Sequence, residues 1–87
     1  MDLTVFKNEK GSITVDSFYT ITVYSHSSKL IKYLDYRLLF IFCVSKTTWI
    51  TRNGLYAITF CAVYKSNQKL YQKMFDLAKE LLETYKG

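Results

Sequence analysis

The chain has 87 residues, 49% hydrophobic and 17% aromatic, with eight tyrosines, six phenylalanines and a formal net charge of +5. That length holds one domain, residues 1–87, with a modest core, and so much aromatic content excludes a disordered chain. The longest uncharged apolar run, Leu38 to Val44, falls far short of the roughly 20 residues a membrane helix needs. The N-terminus turns polar at Lys7, unlike a secretory signal, so the chain is expected to be soluble and cytoplasmic, with no membrane partner.

From Asp2 to Phe6 the pattern alternates weakly, and Lys7 to Gly11 is a turn cluster. Ser12 to Tyr24 alternates fully: Ile13, Val15, Tyr19, Ile21 and Val23 are apolar, while Thr14, Asp16, Thr20 and Thr22 lie between them. Period-two alternation rich in Thr, Val and Ile predicts one half-buried strand, with Asp16-Ser17 marking a bulge or bend. The first two strands are expected to pair as a hairpin. Residues 28–35 read equally as a short helix or as the start of the next strand. In the helical reading Ser27 or Ser28 is the cap, and Leu30, Ile31 and Leu34 share a face.

The strongest short-range signal is Asn53-Gly54, flanked by apolar and β-branched residues. Arg37 to Ser45 is apolar on both faces, as a central strand would be. Residues 37–52 form either one bent strand or two, broken near Ser45-Lys46, and Leu55 to Tyr64 returns from the turn. A two-residue turn would pair Cys61 with Lys46 and Cys43 with Tyr64. The thiols would then be offset by about 10 Å along the strands, too far for a disulfide, and both are expected to be free.

Ser66 to Tyr85 is amphipathic. Leu70, Met74, Leu77, Ala78, Leu81, Leu82 and Tyr85 recur at spacings of three and four, with charged residues opposite. Ser66 or Asn67 suits the N-cap and Gly87 follows the end. The expected fold is α+β: an antiparallel sheet of four or five strands with the C-terminal helix packed on one face.

Nothing marks an enzyme. His26 is the sole histidine and lies in a Ser-rich stretch. No phosphate-binding glycine motif is present, and neither cysteine fits a metal-binding spacing. No catalytic residue, metal or cofactor is assigned. Charge is more informative. Between Asp35 and Asp76 there is no acid, while Arg37, Lys46, Arg52, Lys65, Lys69 and Lys73 fall there. Soluble sheets ordinarily carry surface lysines. Lys65, Lys69 and Lys73, however, crowd a helix N-terminus, where the macrodipole disfavours cations. The candidate partner-binding residues are therefore Lys46, Arg52, Lys65, Lys69 and Lys73. The register brings Lys46, Lys65 and Lys69 toward one edge and leaves Arg52 alone at the hairpin tip.

Two functions follow from this pattern. The first is a non-catalytic interaction protein for an acidic protein surface or a nucleoprotein. In size and composition alone, the chain resembles the small inhibitors of host defence that phage and mobile elements encode, anti-CRISPR proteins among them. That resemblance implies an inhibitor acting in the host cytoplasm. The second is direct nucleic-acid binding through the basic helix and hairpin, with Trp49, Tyr56 and Phe60 as stacking platforms, although a small domain also needs such rings as core. Thr-rich sheet edges suit a homodimer or an added partner strand.

Overall fold

In a computed structural model the described residues are 3–16, 19–41, 44–62 and 68–86. They form five strands and two helices: β1 (Leu3–Asn8), β2 (Gly11–Val15), β3 (Ile21–Ser25), α1 (Ser28–Leu38), β4 (Val44–Ile50), β5 (Tyr56–Ala62) and α2 (Gln68–Thr84). The sheet is antiparallel throughout, in the order β1-β2-β3-β5-β4. This is the expected α+β fold, with five strands, the C-terminal helix on the sheet, and a helix rather than a strand after Ser27.

The alternating segment from Ser12 to Tyr24 is two strands, not one. Val15 pairs with Ile21 and Ile13 with Val23, so each apolar pair shares odd numbering and the alternation continues unbroken through a hairpin. Asp16 closes it: its carboxylate accepts the Thr20 N–H at 3.0 Å and its own N–H donates to the Thr20 carbonyl at 3.0 Å. Tyr19 takes a φ of 60° in this turn. The β1–β2 turn is held similarly, with Asn8 Oδ1 accepting from the Lys10 and Gly11 N–H groups at 2.9 and 3.2 Å. Gly11 has no room for a side chain, because a Cβ there would collide with the Tyr24 carbonyl oxygen.

The reading of 37–45 as a central strand is also corrected. Arg37 and Leu38 complete α1, where Leu30, Ile31, Leu34 and Leu38 make one buried stripe at helical spacing. Ser27 caps that helix, its hydroxyl accepting the Leu30 N–H at 3.2 Å. The central strand is β5, buried at Ala57, Ile58, Phe60 and Ala62, and β4 is the exposed edge beside it.

The β4–β5 register is shifted by one residue from the two-residue turn. Ile50 pairs with Tyr56 and Lys46 with Phe60, not with Cys61. The Gly54 N–H bonds the Thr51 carbonyl at 3.0 Å, the Thr51 N–H bonds the Leu55 carbonyl at 2.8 Å, and Gly54 has a φ of 82°. These are the marks of a three-residue loop with a left-handed glycine. Cys61 is free and opposes Ser45. Cys43, Lys65 and the expected caps Ser66 and Asn67 lie outside the described residues.

Both helices cover the same sheet face, α1 over β3 and β5 and α2 over β1, β2 and β5. Ile13, Val23, Ile58 and Phe60 meet Leu34, Met74 and Leu82 in one core. The C-terminal end of α2 is tied to the β1–β2 turn. Asn8 Nδ2 donates to the Leu82 carbonyl at 2.8 Å and Lys10 Nζ to the Tyr85 carbonyl at 2.5 Å. A cation and an amide thus serve carbonyls that lack intrahelical donors.

The other face carries no described helix. A row of threonines crosses all five strands there, through Thr4, Thr14, Thr22, Thr59 and Thr47 in register. The Thr22 and Thr59 hydroxyls are 3.1 Å apart, and Trp49 Nε1 donates to Thr59 at 3.0 Å while its ring packs edge-on to Tyr24.

Candidate interaction surface

Of the residues singled out by charge, the four among the described residues, Lys46, Arg52, Lys69 and Lys73, do not gather into one site. Lys46 is half-buried and engaged: its ammonium pairs with the Asp35 carboxylate at 2.5 Å and donates to the Asp35 carbonyl at 3.0 Å. It therefore fastens the edge strand to α1. Arg52 is exposed at the hairpin tip. That tip lies at the end of the sheet where Tyr56, Ser25 and Gly11 align and where α2 ends. Lys69 and Lys73 are exposed near the other end of α2, about 20 Å from Leu82 to Lys69 at the helical rise. The adverse polarity of α2 is partly offset from outside the helix, because Lys10 supplies the cation that its last turn lacks.

The exposed apolar surface lies elsewhere. Tyr36, Leu39 and Phe40, at the C-terminal end of α1, are 54%, 66% and 67% exposed. Their rings are organised: Tyr36 stacks on Tyr33 at 6.4 Å, Phe40 meets Tyr36 edge-on at 5.4 Å, and Tyr33 stacks on Tyr85 at 5.3 Å. The Arg37 guanidinium lies over the Tyr33 ring at 5.8 Å, and Nη1 reaches the Tyr33 hydroxyl at 3.4 Å. Lys29 and Lys32 are exposed on the same helix, while its one acid, Asp35, is turned to Lys46. The result is an aromatic surface on which the cations of α1 outnumber the acids, with Glu80 and Lys86 lining the cleft beside Tyr33 and Arg37. Contiguous exposed apolar area on a small protein marks a contact site, and Tyr, Phe and Arg are the residues enriched at interface centres.

This surface was readable only by projecting residues 28–40 as a helix. Once Leu30, Ile31, Leu34 and Leu38 point inward, Tyr33, Tyr36 and Phe40 fall outside at spacings of three and four. Assigning 37–45 to a strand separates Phe40 from Tyr36 and hides the stripe.

A second open region lies between α1 and β4, a groove of about 600 Å³ bounded by Ser28, Ile31, Asp35, Thr48, Ile50 and Tyr56. Elsewhere, Tyr71 packs edge-on to Tyr19 at 5.2 Å, and burial, followed by the charge of Tyr19, raises its pKa. His26 is exposed between β3 and α1. Among the described residues, no three His, Cys, Asp or Glu side chains converge as metal ligands, and no helix is long and apolar enough to cross a membrane.

No protein-family model, curated protein or solved structure matches this chain.

Proposed function

We propose that this chain is a non-catalytic interaction protein that binds an acidic protein surface through α1. The observation that supports this reading best is the exposed cluster of Tyr36, Leu39 and Phe40 beside Arg37. Ring–ring contacts hold Tyr36 and Phe40 in place before any partner arrives, so little side-chain entropy is lost on binding. Arg37, Lys29 and Lys32 give the surface its sign and favour a partner rich in carboxylates. Inhibition of a host defence complex in the host cytoplasm, the role its size and composition resemble, is one form this binding takes.

Affinity capture from the native host tests the reading. Changing Tyr36→Ala and Phe40→Ala together removes two exposed rings, so the fold is expected to survive and specific capture to be lost. Retention of the same partner by that variant overturns the assignment.

The alternative, direct nucleic-acid binding, is favoured by Lys69 and Lys73, which are exposed on α2. It predicts affinity that falls steeply with salt and disappears in a Lys69→Glu/Lys73→Glu variant. The α1 reading predicts that this variant still captures its protein partner.

A further inference from the structure

We propose that β4 is a self-association edge, along which a second copy of this chain adds its own β4 antiparallel about a two-fold axis at Thr47. Among the described residues, β4 has one strand neighbour, β5. The Thr51 N–H bonds the Leu55 carbonyl, and ladder partners alternate along an antiparallel strand. Thr47 and Trp49 therefore bond inward, while Val44, Lys46, Thr48 and Ile50 direct their backbone groups away from the sheet. The opposite edge, β1, is interrupted between Thr4 and Phe6 by a bulge, a device that discourages edge pairing. β4 has no such break, and its Ile50 is 63% exposed.

The occupant follows from self-complementarity. A two-fold axis normal to the sheet keeps the helices of both copies on one side and pairs residues of equal parity. Centred on Thr47, it sets Val44 of one copy against Ile50 of the other, Lys46 against Thr48, and Ser45 against Trp49. The four outward-bonding residues then become the hydrogen-bonded pairs, and Thr47 meets its own copy at a non-bonded site. Exposed Ile50 gains an apolar neighbour, and the threonine row continues across the junction. Neighbouring registers are worse: a centre at Lys46 opposes two ammonium groups, and one at Thr48 sets Lys46 against Ile50. Lys46 is the sole charge on the strand and is already matched by Asp35 within its own copy, so the Thr47 register brings no like charges face to face. Seven paired residues a side bury less than the roughly 800 Å² per partner of a standard interface, so the dimer is weak and dissociates on dilution.

Sedimentation equilibrium over a wide concentration range tests this, with circular dichroism reporting the fold of each variant. Thr48 is exposed. Thr48→Lys puts two lysine pairs face to face and is expected to weaken the dimer roughly tenfold, whereas Thr48→Glu opposes Lys46 with a carboxylate and is expected to tighten it. Thr47→Cys in a Cys43→Ser/Cys61→Ser background is expected to form an intermolecular disulfide, since non-bonded antiparallel pairs bring Cα atoms to about 4.5 Å. Ser45→Cys in that background is not. Wild type that stays monomeric at every concentration, with no crosslink through position 47, overturns the proposal. A dimer that ignores Thr48→Lys but is abolished by Tyr36→Ala/Phe40→Ala also overturns it and assigns self-association to α1.

Discussion

At the residue scale, Ser25 shows how one hydroxyl joins distant parts of the chain. It is fully buried, donates to the Lys10 carbonyl at 2.7 Å, and accepts the Ser27 N–H at 3.1 Å. It therefore links the β1–β2 turn, the end of β3 and the start of α1. A buried polar atom so satisfied costs little, whereas an unpaired one costs about 1–3 kcal/mol. Among the described residues no buried side-chain polar atom lacks a partner. Tyr71 behaves differently, because it is a titrating group that burial, and then Tyr19, hold in the neutral form. Its folded pKa lies above the ordinary 10.0, so the folded state binds the proton more tightly than the unfolded state. The resulting stabilisation is complete below pH 10.0 and is lost as pH rises through the folded pKa. A Tyr71→Phe variant is expected to lose stability less steeply in that alkaline window, as measured by urea denaturation at a series of pH values. A slope identical to wild type would refute the assignment.

At the scale of the element, the hairpin at Asn53-Gly54 separates what the chain encodes locally from what it does not. The position of the turn was legible, and its length was not. Asn-Gly suits a two-residue loop, but the Thr51 hydroxyl accepts the Leu55 N–H at 2.9 Å. It thereby stands in for a backbone acceptor already occupied by Gly54. A Gly54→Ala variant must hold an alanine at φ 82° with nothing nearby to compensate, and is expected to lose about 1–2 kcal/mol in thermal or denaturant unfolding. Equal stability would mean that the loop rearranges. The α2 pattern is legible because its apolar repeat is long. The β2–β3 hairpin is hidden in the sequence because its turn preserves parity, and the end of α1 is hidden because a seven-residue apolar run has no period of its own. The basic residues stand out in the sequence as a charge pattern. What sequence could not supply was the partner that already engages Lys46, or the distance between Arg52 and the start of α2. Both depend on how elements remote in sequence meet.

At the scale of the molecule, the sheet is protected unevenly, and hydrogen exchange should report it. β5 lies between β3 and β4 and is bonded on both sides, so its amides exchange only when the domain opens as a whole. β4 is bonded on one side, and its amides are expected to alternate in dilute solution: Thr47 and Trp49 slow, Lys46, Thr48 and Ile50 fast. The alternation follows from the ladder, since among the described residues no strand lies beyond β4 to bond the amides that face away from β5. Raising the protein concentration fills that edge with the second copy. Lys46, Thr48 and Ile50 should then slow, while Thr47, Trp49 and the amides of α1 change little. Because β1 carries a bulge, its outward amides should remain fast at every concentration, which supplies an internal control. If the slowing instead appears in α1 or along β1, the contact between copies lies there. If β4 is uniformly slow in dilute solution, its outer edge is already covered, and the free edge on which self-association depends does not exist.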